Sequence, residues 1–97
     1  MAVLEIVRFR SKAGSDEAEL AEINERFQRE VAPTLLGLER REATRTEDGE
    51  WVLVLRYRDA ESAARAMGAD TSEVSGRLMS MIDMGTMSLT RTAIVSE

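Results

Sequence analysis

The chain reads as an α+β domain of the ferredoxin-like kind, with elements in the order βαββαβ, one four-stranded antiparallel sheet and the helices on one face. Three observations predict it. Val7-Arg8-Phe9-Arg10 and Leu55-Arg56-Tyr57-Arg58 echo each other, each an apolar-Arg-aromatic-Arg run just ahead of a helix start, so a strand-then-helix unit is used twice. Between two strand-like segments lies Asp48-Gly49, the residue pair of a tight hairpin turn. The single proline, Pro33, falls where the helical spacing of the first half runs out.

Each element has its own signal. From Val3 to Arg10 the pattern predicts a strand with Val3, Glu5, Val7 and Phe9 on one face and Leu4, Ile6, Arg8 and Arg10 on the other. Asp16, followed three residues later by Glu19, suits a capping box. Leu20, Ile23, Phe27 and Val31 then recur at helical spacing with Asn24 at the edge of the stripe, and Pro33 ends the helix at about Val31. A charged strand over Leu38 to Thr46 follows. With Asp48-Gly49 as a two-residue turn and Glu47 paired to Glu50, Arg45 faces Val52, Ala43 faces Val54, Arg41 faces Arg56 and Glu39 faces Arg58. Trp51 to Tyr57 is the most hydrophobic strand and belongs in the middle of the sheet. Asp59 caps a short Ala-rich helix from Ala60 to Met67, broken at Gly68-Ala69-Asp70. A second helical piece is expected from Ser72 to Met81, and alternation from Met84 to Val95 gives a last strand. Right-handed crossovers then set the first and third strands side by side in the centre.

Ninety-seven residues make one domain, spanning 1–97, of a size at which a second copy of the chain commonly covers apolar surface, so a homodimer is expected. A net charge of −5 speaks against a nucleic-acid binder that gains affinity by neutralising phosphates, and against anionic membranes. With no cysteine there is neither a disulfide frame nor a thiolate nucleophile. With no histidine the usual imidazole metal ligand and neutral-pH base are missing, and no metal site is expected. No apolar run reaches the ~18 residues that span a bilayer, and no leader pattern is present, so the cytoplasm is the expected compartment.

Several stretches carry a family likeness. They are Ile6 to Gly14, a strand leading to Lys-x-Gly; the amphipathic first helix; Pro33 to Glu39, a PxLxGLE passage; and Val52 to Ala64, a strand ending in an aromatic residue before Asp-Ala-Glu-Ser-Ala-Ala. Over nearly its whole length the chain thereby resembles the antibiotic biosynthesis monooxygenase-like group of dimeric α+β barrel proteins. The resemblance implies two sheets packed face to face across a two-fold axis and a small-ligand site between each sheet and its own helices. It also implies a cofactor-independent oxygenation of an aromatic or polyketide-like compound, so no cofactor is expected. Haem-degrading relatives carry a pocket tryptophan where this chain has Tyr57, an asparagine on the first strand where it is apolar near Ile6, and a histidine beyond the second helix. The likeness therefore does not extend to haem degradation.

Two groups of residues are candidate sites, and no catalytic residue is identified. Glu5, Phe9, Asn24, Phe27, Trp51, Leu55 and Tyr57 share the helix-facing side, as a pocket for a flat, lipophilic ligand or simply as packed core. Arg8, Arg10, Arg41, Arg56 and Arg58, together with Arg45, share the opposite face with Glu39 as the one carboxylate beside them. That face reads either as a dimer surface of cross-subunit ion pairs or as an anion site. The late methionines read as adaptable filler. A helix-side cavity reached by Tyr57 and Asn24 would favour an enzyme; the same space filled by Phe27, Trp51 and Leu78 would favour a non-catalytic homodimeric binding or interaction module.

Overall fold

The computed structural model describes residues 1–70 and 72–97, with the side chains of 67–69 left aside. Its elements are β1 (Val3–Ser11), α1 (Glu17–Arg26), β2 (Leu38–Arg45), β3 (Trp51–Tyr57), α2 (Ala60–Ala69), α3 (Glu73–Ser80) and β4 (Ile82–Ala93). The strands form one antiparallel sheet in the order β2-β3-β1-β4, so the two echoed strings do lie on adjacent central strands. This is the ferredoxin-like arrangement expected. No helix among the described residues is long and apolar enough to cross a membrane.

Local chemistry accounts for the helix ends. The Asp16 carboxylate accepts the Ala18 and Glu19 N–H groups at 2.8 and 3.4 Å, which satisfies donors that an α-helix leaves unpaired. Only that half of the capping box forms, because the Glu19 carboxylate accepts from Arg77 at 2.7 Å instead. Beyond Arg26 the helix loosens into a π turn over Phe27–Val31 and then tightens into a 3-10 turn over Ala32–Thr34, where Pro33 sits. Asp59 accepts the Ser62 N–H at 2.7 Å to start α2, which runs two residues past its expected end at Met67. The packing expected of the Met67 side chain lies outside the described residues.

The two faces of the sheet alternate as the period-2 pattern requires. Val3, Glu5, Val7 and Phe9 of β1 and Trp51, Leu53, Leu55 and Tyr57 of β3 are buried beneath Leu20, Ile23 and Val31 of the first helical segment, Ala63 of α2, and Val74 and Leu78 of α3. Phe9 and Trp51 are cross-strand partners whose rings lie nearly parallel, 6.3 Å between centroids. Among the described residues no helix covers the other face, where Leu4, Ile6, Val52 and Val54 are half-buried in the centre of the sheet.

The register of β2 differs from the expected one by a single residue. Arg41 pairs with Leu55, Ala43 with Leu53 and Arg45 with Trp51. A two-residue type I′ turn needs positive φ at both central positions, but of Asp48 and Gly49 only the glycine takes it (φ 92). Instead the Gly49 N–H donates to the Thr46 carbonyl at 3.0 Å and the Thr46 N–H to the Glu50 carbonyl at 2.8 Å. That is a three-residue loop of a type I turn followed by a bulged glycine, and the extra residue turns the strand over from Arg45 back to the bulge between Leu38 and Arg40. Arg41 and Arg45 therefore lie on the helix side, and the assignment of Arg41 to the outer face with Arg8 and Arg56 is corrected.

The outer face is also not the like-charge cluster the sequence suggested. Arg8 pairs with Glu50 at 3.1 Å, Arg10 with Asp48 at 2.9 Å, Arg58 with Asp59 at 3.5 Å, and Arg56 with both Glu39 at 3.0 Å and Glu97 at 2.7 Å. Each outer arginine has a carboxylate from its own chain.

Candidate functional site

One row across the helix-facing side of the sheet carries charge. Reading from β4 to β2, the paired residues are Arg91, Glu5, Leu55 and Arg41. The next row, Leu89, Val7, Leu53 and Ala43, is apolar. Above these rows the helices leave a cavity of about 300 Å³, at the lower end of the range for ligand sites. Its floor is Glu5, Val7, Phe9, Leu53, Leu55 and Arg41. The π turn contributes Phe27, while Leu78, Met79 and Ser75 of α3, with Asp70 before it, form the roof. Met87 and Leu89 of β4 close the remaining side.

The polar groups in this apolar shell are individually fixed. The Glu5 carboxylate, 3% exposed, accepts the Nε–H and Nη2–H groups of Arg91 at 2.8 and 2.5 Å. Asp70 accepts the Ser72 N–H at 3.0 Å and the Ser75 hydroxyl. Burial works to raise its pKa, but the hydrogen bonds from Ser75 and Ser72 outweigh it and hold the carboxyl below its ordinary value.

Arg41 is different. It is 5% exposed, and its Nη2–H donates to Asn24 Oδ1 at 2.8 Å while its Nη1–H donates to Gln28 Oε1 at 3.3 Å. Its guanidinium lies 4.3 Å from the Phe27 ring centroid, a stacked cation–π contact that the π turn makes possible by bringing Phe27 over the sheet. Burial pushes its pKa down to about 10, so it stays charged at neutral pH.

Of the residues expected in a helix-side pocket, Glu5, Phe9, Phe27 and Leu55 line the cavity. Asn24 and Trp51 line an open groove of about 910 Å³ on the β2 side of α1 instead, and Arg41 stands between, bordering both spaces. Asn24 is occupied structurally, donating from Nδ2 to the Leu20 carbonyl at 3.0 Å. The Trp51 indole N–H donates to Glu17 Oε2 at 3.0 Å, and Arg45 pairs with that carboxylate at 3.1 Å. Tyr57 is buried one row further along, outside the cavity wall. Burial, and then the nearby Glu5 carboxylate, push its phenol up to about 12, which keeps it neutral. The cavity is thus not reached by Tyr57 and Asn24, and neither is it filled by Phe27 and Leu78, which form its walls. Among the described residues no group of three carboxylates lies close enough to hold a metal ion.

The sequence reading missed Arg91, Asp70 and the true position of Arg41. The first two depend on pairings of distant segments. The third had a local signal, because Leu38, Arg41, Ala43 and Arg45 fit one face once a bulge between Leu38 and Arg40 and a three-residue hairpin loop are allowed.

No protein-family model and no curated protein matches the chain. Solved structures do. SnoaB, a cofactor-independent oxygenase from Streptomyces nogalater, superposes with a TM-score of 0.79 at 17% identity, covering 99% of this chain and 95% of that one. Rv0793 from Mycobacterium tuberculosis gives 0.75 at 19% identity over 100% and 98% of the two chains. A candidate antibiotic biosynthesis monooxygenase from Caulobacter crescentus gives 0.80 at 12% identity over 98% and 91%. In fold the chain is antibiotic biosynthesis monooxygenase-like.

Proposed function

We propose that this protein binds a flat, lipophilic compound of aromatic or polyketide type in the helix-side cavity and oxygenates it with dioxygen, without a cofactor. The cavity carries the reading: an apolar chamber between a sheet and its own helices, with a few fixed polar groups on its floor. The chemistry is supported by the fold shared with a cofactor-independent oxygenase. A ring CH2 activated by a neighbouring phenol or ketone loses a proton, and the resulting carbanion can reduce dioxygen directly. One oxygen atom stays on carbon as C=O, and the other leaves as water with the two hydrogens. The protein's share is to hold the substrate, favour its ionised form and exclude bulk water.

Anthrone with isotopically labelled dioxygen tests this. The expected result is protein-dependent oxygen uptake with one labelled atom in the anthraquinone formed. Uptake no faster than without protein, for anthrone and for a panel of polyphenols that bind, overturns the oxygenase reading.

A second reading, a non-catalytic binding module, is favoured by one observation: the polar groups nearest the cavity are already engaged, Glu5 by Arg91 and Asn24 by Arg41. Binding without turnover would select it. In either reading the uncovered face of Leu4, Ile6, Val52 and Val54 is proposed to meet the same face of a second copy. Sedimentation should give a dimer at micromolar concentration, and a stable monomer there would remove that part of the proposal.

A further inference from the structure

We infer that the helix-side cavity selects ligands bearing a planar, ionised oxygen group on an aromatic ring, and that Arg41 is the residue that binds that group. The inference rests on the proposed ligand cavity and names what enters it. The chain has one lysine, Lys12, and twelve arginines. Among the described residues, eleven of those arginines have a carboxylate oxygen within 4.0 Å. The exception is Arg41, and it is also the one that is buried.

That combination is opposite to what stability alone favours. An exposed arginine tolerates the loss of its ion pair, whereas a buried one without a counter-charge is expensive. Both hydrogen-bond partners of Arg41 are neutral side-chain amides, and they engage two of the five guanidinium N–H groups. The residue borders both the cavity and the groove, so it stands at the edge of ligand space. A guanidinium fork with free N–H groups matches a carboxylate or a conjugated enolate, and the apolar surround strengthens such a contact.

The other charged groups fix the direction in which a ligand would lie. Facing Arg41 across the cavity floor is Glu5, two strands away and held by Arg91; in the roof is Asp70, held by Ser72 and Ser75; beside it on β3 is the neutral phenol of Tyr57. Neither carboxylate is within 4.0 Å of Arg41. Both would repel an anion, so the ionised end belongs at Arg41 and the apolar rings under Phe27 and Leu78.

The test uses the full chain and three probes: 2-hydroxy-1,4-naphthoquinone, which is an ionised enol at neutral pH; its methyl ether, of similar shape but uncharged; and 2-naphthoate. Binding is read by titration calorimetry and by quenching of the single tryptophan. The hydroxyquinone should bind about tenfold or more tightly than its ether, the scale of one charge-assisted hydrogen bond. In Arg41→Met the preference should shrink to about twofold or less, with Arg41→Lys retaining part of it. Should Arg41→Met fail to fold, the comparison of hydroxyquinone with ether on the unaltered protein decides the preference for the ionised group, and a preference left undiminished in Arg41→Lys overturns its assignment to Arg41. Naphthoate binding as tightly as the hydroxyquinone assigns the natural ligand to carboxylates, and weaker naphthoate binding assigns it to enols and phenols; both support the inference. Equal affinity for hydroxyquinone and ether overturns it while leaving the cavity reading intact. No binding of any probe overturns both.

Discussion

Arg41 on the inner face of the sheet is treated in the opposite way from the arginines of the outer face. On the outer face Arg8 and Arg10 are exposed and Arg56 is half-buried, and each has a carboxylate of its own chain at 3.1 Å or less. On the inner face Arg41 is sealed under a helix with two amide oxygens and a phenyl ring. Solvated ion pairs of the first kind add little to stability, on the order of 0–1 kcal/mol each. A charge of the second kind lowers stability until something opposite arrives. The outer face therefore carries its charges compensated within the chain, and the inner face carries one, at Arg41, that is not.

The largest expected contrast lies in the apolar residues. Phe9→Ala empties the floor beneath a full helical layer and should cost about 3–5 kcal/mol in urea unfolding, whereas Val54→Ala on the outer face should cost about 1 kcal/mol or less in a monomer. A Val54→Ala loss that grows as protein concentration rises would show that a second copy covers this face. Next in size is Glu5→Gln, which leaves Arg91 without its buried partner. Arg91 is one-third exposed, so solvent screens part of the loss and about 1–3 kcal/mol is expected. A loss below about 0.5 kcal/mol would mean that the Glu5–Arg91 pair is as dispensable as those outside.

Arg41→Met should reverse the sign. Replacing an uncompensated buried charge with an apolar side chain of similar length should leave the ligand-free protein as stable as before or about 1 kcal/mol more so. A clear loss of stability would show that the contacts to Asn24, Gln28 and Phe27 outweigh the burial of charge, and the contrast between the faces would collapse.

How much of this was legible in the sequence follows the range of the forces involved. Asp16, Asp59 and Pro33 announce helix ends because their effects act within four residues, and the alternation in β1 and β3 announces their faces because the strand period is two. The β2 face was misread for an equally local reason: Glu47-Asp48-Gly49 is compatible with a two-residue turn or a three-residue one, and the choice depends on whether Asp48 takes positive φ. One residue of loop thus moved Arg41 from an exposed cluster into the cavity wall. The Glu5–Arg91 pair spans 86 positions, and no pattern of short period could reveal it.

The smallest expected effects are two titrations, and they shift in opposite directions for the reason that separates the faces. On the inner side Tyr57, the single tyrosine, is pushed up to about 12 by burial and then by Glu5. On the outer hairpin the Asp48 carboxylate is pulled down to about 2 by the Thr46 hydroxyl and then by Arg10. A raised folded pKa favours the protonated form, so the Tyr57 contribution is complete below the ordinary phenol value of 10.0 and is lost as pH climbs through about 12. A lowered folded pKa favours the ionised form, so the Asp48 contribution is present above the ordinary 3.8 and is lost as pH falls through about 2. Tyrosinate absorbance and carboxyl chemical shifts read the two midpoints separately. Because the Arg41 charge holds the Tyr57 value down, Arg41→Met should move the tyrosine midpoint higher and leave Asp48 where it was. A tyrosine midpoint near 10 would mean that water reaches the inner face, and the cavity would then be too wet to hold a charge in reserve.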